Sequence, residues 1–433
     1  MSFDEIENEA AEELDLESIE PITFEELEAV IKDVLMVPDF GVIKLICALV
    51  IANRFDKQAV WTAFIAPSGG GKTALLDNLL MLDDVYALSM LTPNTFLSGM
   101  GGAKDPSLLP IINGKILLMK DFTSILSLQR DARAEVMSQL REIWDGGMRK
   151  AFGNGQVRDW AGKVSLIVAS TQALDFHQQM NTHLGERFIN YRIIMPDRLK
   201  VARVALENNP DFAMKKKRMQ RAFLAWYKGI DWEKIKTEDF LTSEIKEQVI
   251  EISDLCTMAR SGVIRVGNDK EVQFVPTAEM PTRMVTQLVT IAEGLVAVNL
   301  GVYMPEDMKI VYKCAMDSIP ATNWMVIEQL VAGGMQTTAK VATALGYPTS
   351  PIRMYLENLA MLNVIKRFKP GADTGAFKGG EKDGNADRWE LLPRFKEIIL
   401  KHRKIKQEIE EEAEESVPDM IPETTPDFVD LPE

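Results

Sequence analysis

The sequence predicts an α/β fold, a parallel sheet with helices on both faces, followed by a mostly helical region, a small separate module and acidic ends. Three observations carry this expectation. Short apolar runs at 60–65, 115–119, 164–169 and 189–195 alternate with helical patterns, as buried parallel strands do. A glycine-rich turn, Ala66-Pro67-Ser68-Gly69-Gly70-Gly71-Lys72-Thr73, joins the first of these runs to a helical pattern at 74–80. From about residue 321 the pattern becomes helix, helix, turn, helix, then two short β runs around a glycine-rich stretch.

Composition bounds the rest. The chain has 433 residues, of which 46% are hydrophobic, enough for real cores in roughly two to three domains. No apolar run reaches the ~18 residues of a membrane span; the longest, 42–52, is interrupted by Lys44. The N-terminus is acidic and lacks the apolar stretch of a signal peptide. These features predict a cytoplasmic protein without a membrane partner. Cys47, Cys256 and Cys314 stand far apart in apolar helical patterns and read as buried free thiols. Only three histidines exist, which removes most His-based metal or triad chemistry. The net charge of −15 is concentrated at the ends. Asp4, Glu5, Glu7, Glu9, Glu12, Glu13, Asp15, Glu17 and Glu20 crowd the start, and Glu408, Glu410, Glu411, Glu412, Glu414 and Glu415 open an acidic end. Such runs read as solvated, disordered tails. The body between them is closer to neutral, so net charge does not exclude nucleic acid.

In chain order, 24–55 is helical with a break at Pro38-Asp39-Phe40-Gly41. After the strand at 60–65 and its turn come a helix at 73–80, a strand at 85–90, the strand at 115–119 and a helix at 132–144. Between 144 and 164, Gly153-Asn154-Gly155 predicts a β-hairpin, with Arg149, Lys150 and Arg158 on its arms. A solvated surface hairpin is the plainer reading. Helical patterns at 212–226, 243–259 and 282–299 follow, the first with Lys215, Lys216, Lys217, Arg218 and Arg221. The segment 263–275 is β-like or irregular.

The turn carries a specific chemistry. Strand, glycine-rich turn and helix in this order are the context of a phosphate-binding loop. Glycines let backbone N–H groups turn inward around phosphates. Lys72 would reach the β/γ-phosphates, Thr73 would ligate Mg²⁺, and a helix N-terminus favours the anion. The first motif position is Ala66 rather than Gly. The partner element is an acidic residue ending a buried strand, and Ile116-Leu117-Leu118-Met119-Lys120-Asp121-Phe122 supplies Asp121 for Mg²⁺ or water.

At this point the order of elements resembles the AAA+ ATPases, in particular the branch of the MCM helicases, over residues 40 to 320. That family usually has Asp-Glu-Phe where this chain has Lys120-Asp121-Phe122. Aligned on Phe122, Asp121 takes the water-activating position; aligned on the strand, it takes the metal position. Either way one acid is missing, with Glu142 and Asp145 as candidates to replace it. The resemblance further implies that Thr171, with Ser170 as the alternative, is the polar sensor at the end of the strand 164–169. It implies that Arg187, in Leu184-Gly185-Glu186-Arg187-Phe188, is an arginine finger acting on ATP held by a neighbouring subunit. Arg283, in Pro281-Thr282-Arg283, is the implied γ-phosphate reader of the lid. The Gly153 hairpin matches the pore hairpin. On this reading the chain divides into an acidic disordered N-terminus (1–20), an AAA+ nucleotide-binding core (21–200), a helical lid region (201–320), a winged-helix module (321–400) and an acidic tail (401–433).

The winged-helix pattern offers Ser350, Arg353, Tyr355 and Asn358 on its third helix, and Lys366, Arg367, Lys369, Lys378, Lys382 and Arg388 on its wing, for DNA. A protein-docking module is the alternative. The tail, with Phe428, Val429 and Leu431 near its tip, is a candidate peptide for a replication partner or a shield for the basic module. The sequence thus predicts a DNA-dependent AAA+ ATPase binding ATP and Mg²⁺, a helicase or replication motor. Its ring would be a homo-oligomer, probably hexameric by the family's pattern, with single-stranded DNA in the pore and duplex at the winged helix. An ATP-switched loader with slow hydrolysis and an ATP-dependent transcription regulator are the rival expectations.

Overall fold

A computed structural model of the chain describes residues 19–35, 39, 41–100, 106–175, 186–194, 198–208, 211–235, 240–266, 271–272, 277–369 and 386–400. The acidic ends, including Phe428, Val429 and Leu431, lie outside the described residues, as do Lys378 and Lys382.

Helix α1 (Phe24–Val34) opens on a capping box. Glu26 N donates to Thr23 Oγ1 at 3.2 Å and Thr23 N donates to Glu26 Oε2 at 2.8 Å. Helix α2 (Gly41–Ala52) is apolar on all sides and buried except at Gly41 and Lys44, as a helix between two layers must be. Five strands form one parallel sheet. They are β1 (Trp61–Ile65), β2 (Val85–Ala87), β3 (Ile116–Met119), β6 (Ser165–Ser170) and β7 (Ile189–Arg192), in the order β2-β3-β6-β1-β7. Strands β4 (Gly147–Ala151) and β5 (Val157–Ala161) pair antiparallel as the expected hairpin.

Side chains alternate across the sheet. Trp61, Ala63 and Ile65 of β1 join Leu117, Met119, Leu166 and Val168 in one apolar cluster. Phe64 joins Leu118, Ile167 and Ala169 in the other, against α2. Both faces are therefore covered, which is why these strands read as continuous apolar runs. Helices α3 (Lys72–Leu76), α4 (Leu109–Ile112), α5 (Thr123–Leu126) and α6 (Arg130–Trp144) connect the strands. The expected helix at 73–80 changes character at Asp77, where a 3₁₀ segment continues to Met81. Asn78 Nδ2 donates to the carbonyls of Ala74 (3.2 Å) and Leu75 (2.9 Å), competing for acceptors the α-helix would use.

Beyond the sheet come α7 (Arg198–Asn208), α8 (Phe212–Lys228), α9 (Trp232–Ile235), α10 (Ser243–Arg260), the two-stranded ribbon β8 (Arg265–Val266) and β9 (Glu271–Val272), α11 (Thr282–Val298) and α12 (Asp307–Asp317). Helix α11 lies directly on α2: a Cβ on Gly294 would stand 2.5 Å from Ala48 O. The C-terminal part contains α13 (Ala321–Gly333), β10 (Gln336–Thr337), α14 (Thr338–Leu345), α15 (Thr349–Met361), β11 (Ile365–Phe368) and β12 (Arg388–Leu391). Its antiparallel sheet has the order β10-β12-β11. The two-residue β10 escaped the sequence reading because so short a strand has no detectable period. Among the described residues no helix is long and apolar enough to cross a membrane.

Candidate functional site

Two groups of the sequence-predicted residues gather at opposite edges of the parallel sheet. The first stands where β1 ends. Gly69 (φ 79°) and Gly71 (φ 72°) are left-handed, and neither has an atom within 4 Å of where a Cβ would lie. Glycine is needed here for its backbone angles, not for lack of room. Ala66 N donates to Ser170 O at 3.3 Å and Gly70 N to Pro67 O at 3.1 Å, so the turn is seated on β6. Lys72 Nζ folds back onto the carbonyls of Ala66 (2.7 Å) and Pro67 (2.9 Å). Burial pulls its pKa down and the negative charge of Asp121 works against that fall. Asp121 therefore faces the lysine electrostatically across β6. It is held there by local bonds: Thr123 N donates to Asp121 Oδ1 at 2.9 Å, and Phe122 N donates to Ala169 O at 2.8 Å.

Lys120 turns elsewhere. Its Nζ donates to Asp77 Oδ1 at 2.9 Å, while Lys216 of α8 donates to Asp77 Oδ2 at 2.6 Å. Burial alone would raise the Asp77 pKa; hydrogen bonds from Lys216 and Lys120 outweigh it and hold the carboxyl below its ordinary value. Sequence reasoning missed Asp77. The available signal was a single acid in an otherwise apolar and polar-neutral helix, five positions past Lys72. At the end of β6, Thr171 Oγ1 accepts from Ala173 N at 3.3 Å. Ser170 Oγ is buried and meets no hydrogen-bond partner, so the buried, open hydroxyl on this strand belongs to the alternative sensor residue.

The second group stands at the amino-terminal edge. Arg187 precedes β7 and Arg283 sits in the first turn of α11. Both line a cleft of about 440 Å³ with Gln58, Trp144, Asp145, Thr282 and Thr286. Arg187 Nη2 donates to Asp145 Oδ2 at 3.2 Å, and its guanidinium stacks 5.7 Å from the Trp144 ring centre. Burial, then the charge of Arg283, lowers the Arg187 pKa. Gln287 ties the edge together, accepting from Trp61 N at 2.9 Å and donating to Arg187 O at 2.9 Å. Arg283 Nε lies 3.8 Å from Glu279 Oε1. Asp145 is thus committed to Arg187 and does not replace the acid missing beside Asp121. The five residues of β1, at ~3.3 Å each, separate this cleft from the Ala66–Thr73 turn by roughly 17 Å.

The predicted DNA-contacting residues fall in two places. On the hairpin, the Arg149 side chain is 77% exposed and 3.3 Å from Asp159 Oδ1, whereas Lys150 is mostly buried and donates to Pro93 O at 2.7 Å. Arg158 is half-buried. The tip docks on the preceding loop through Asn154 Nδ2, which donates to Gly99 O at 2.6 Å. In the C-terminal part, Arg353 and Arg367 converge on Asp387 Oδ2 at 3.3 and 2.6 Å. Lys366 lies over the Phe368 ring at 4.9 Å. Asn358 is engaged from outside: Arg265 of β8 donates to Asn358 Oδ1 at 2.9 Å and to Glu357 Oε2 at 3.1 Å.

Cys47, Cys256 and Cys314 are free and buried, and burial pushes each thiol pKa up, which makes them inert core residues. No protein-family model and no curated protein matches the chain.

Proposed function

We propose that the chain is a DNA-dependent AAA+ ATPase acting as a head-to-tail ring, a helicase or replication motor. The observation that carries the reading is the split of the cationic groups. Lys72 lies with Asp121 at one edge of the sheet, and Arg187 with Arg283 lines a cleft at the other. Phosphoryl transfer is helped by cations on both sides of the γ-phosphate. A separation of roughly 17 Å along the strand keeps one chain from supplying both sets to a single phosphate. A second copy, placed head-to-tail, brings its arginine edge to the first copy's loop.

The residues at the loop fit a nucleotide triphosphate. Left-handed Gly69 and Gly71 open the turn, Lys72 needs only to leave two carbonyls, and the orphan Ser170 hydroxyl lies beside the loop. Thr73 and Asp121 would hold Mg²⁺, which neutralises charge on the β- and γ-oxygens. Arg187 and Arg283 would stabilise the charge of the transition state on a neighbour's ATP. For DNA, exposed Arg149 on the hairpin supplies a phosphate contact. The three helices and three-stranded sheet at 321–391 support a winged helix, whose α15 opens with Thr349, Ser350 and Arg353 exposed.

The test is subunit mixing. Lys72→Ala and Arg187→Ala should each abolish turnover, and an equimolar mixture should recover about a quarter of the sites, each joining a loop from one variant to an arginine from the other. No recovery in the mixture would sink the shared site. Single-stranded DNA at low salt should raise the wild-type rate.

A second reading, an ATP-switched loader with slow hydrolysis, is favoured by one observation. Only Asp121 faces Lys72 from the acidic strand, because Lys120 replaces the second acid and is tied to Asp77. Turnover of many ATP per second would exclude it.

A further inference from the structure

We infer that α7 and the first turn of α8 form a docking surface for a second copy of this chain, the face that meets the neighbour's arginine cleft. The inference rests on the shared-site reading and adds the surface that would hold the copies together. Helix α7 buries none of its side chains among the described residues. Leu199 is 71% and Leu206 74% exposed, and across the following turn Phe212 and Met214 are 37% and 67% exposed. Leu199, Ala202 and Leu206 recur at i, i+3 and i+7, one stripe of a helix. A helix of 11 residues is marginal in water without packing, so a stripe of this kind calls for a partner.

The position of α7 selects the partner. It follows β7 within a few residues, and β7 is parallel to β1. The chain therefore enters α7 from the carboxyl edge of the sheet, the edge that also carries Ala66–Thr73. In a head-to-tail arrangement the neighbour's cleft must approach this edge. Charge agrees with that approach. Arg198 and Arg203 of α7 are exposed, and beside the cleft Asp56 and Glu142 are exposed and the Asp145 side chain is 53% exposed. Apolar contact between the helix stripe and the neighbour, rimmed by these opposite charges, is the ordinary anatomy of an interface between subunits. A membrane or an unrelated protein as the occupant leaves the arginine cleft without its phosphate, whereas a second copy satisfies both surfaces at once.

The experiment compares full-length wild type with the double variant Leu206→Glu, Met214→Glu by light scattering after gel filtration, with Mg²⁺ and a non-hydrolysable ATP analogue. Affinity for a fluorescent ATP analogue and thermal melting are measured on the same samples. Wild type should assemble with the analogue. The variant should need at least about tenfold more protein to assemble, with nucleotide affinity and melting unchanged. Assembly equal to wild type overturns the docking surface and leaves the shared site standing. A collapse in melting also overturns it, because α7 would then be packed within its own chain. Wild type that stays monomeric with bound analogue overturns the shared site, and the docking surface with it.

Discussion

Lys120 and Asp77 are bonded at 2.9 Å although they lie 43 positions apart. The bond fixes the lysine that replaces a carboxylate on the acidic strand to the 3₁₀ segment behind the glycine-rich loop. Lys216 of α8 completes the set on the other oxygen of Asp77 at 2.6 Å. Loop segment, strand β3 and lid helix α8 thus share one carboxylate that is 9% exposed.

Removing that carboxylate leaves two ammonium groups facing each other. Asp77→Ala should destabilise the chain by about 2 kcal/mol, and Lys120→Met by clearly less, because Lys216 still satisfies Asp77. Urea unfolding of the two variants and of the double variant measures this. Equal losses for the two single variants would show that Asp77 is not shared. The effect on pH has a definite sign. Asp77 is held below its unfolded pKa, so its stabilisation is present above about pH 4 and is lost as pH falls through the folded value.

The C-terminal part holds its arginines in reserve. Asp387 accepts from both Arg353 and Arg367, and these bonds, the one from Arg367 first, hold its pKa down. Asp387→Asn removes a charge that competes with phosphate. Affinity for short duplex DNA should tighten by roughly three- to tenfold at low salt, with a steeper salt dependence. Fluorescence anisotropy at several salt concentrations reads both. Unchanged affinity and slope would remove Arg353 and Arg367 from the DNA surface.

How far the sequence was legible varies with how local the signal is. Strands β1, β3, β6 and β7 were legible because burial on both faces makes their runs apolar. Gly153-Asn154-Gly155 marked its hairpin, since that turn chemistry is set within a few residues. The placement of Lys120 was not legible. Its partners, Asp77 and Lys216, come from segments that only the fold brings together. The same holds for Lys150, which reads as a basic arm residue and is occupied by Pro93 O. It holds too for Asn358, covered by Arg265 from a ribbon whose strands are two residues each. Arg187 and Arg283 were found by their order in the chain, but order could not say that they share a cleft.

Close approach of α2 and α11 rests on one missing side chain. Gly294→Ala would put a Cβ 2.5 Å from Ala48 O, a backbone atom that cannot rotate away. The helices must part, at a loss of about 1–3 kcal/mol, although alanine favours an isolated helix by nearly 1 kcal/mol. Thermal or chemical unfolding decides the sign. A variant as stable as wild type would mean that the two helices slide apart freely. Since α11 carries Arg283 at its start, the same variant should also weaken turnover in any assay where the arginine cleft matters.

Lys163 supplies a test of the fold that is independent of nucleotide. It leads into β6, and its Nζ donates to Asn53 O at 3.0 Å and Phe55 O at 2.6 Å, capping the chain where it leaves α2. Burial brings its pKa down to about 8, against about 10.4 in an unfolded chain. Between these values the unfolded state binds more protons than the folded one, so the contribution of Lys163 to stability rises with pH. Below about pH 8 the buried charge opposes folding in full; above it the neutral amine still donates to both carbonyls. The stability of wild type relative to Lys163→Gln should therefore increase in favour of wild type from pH 7.5 to 9.5, with other titrating groups cancelling in the difference. A difference that is flat with pH would place the ammonium in water, outside the niche formed by Asn53 and Phe55.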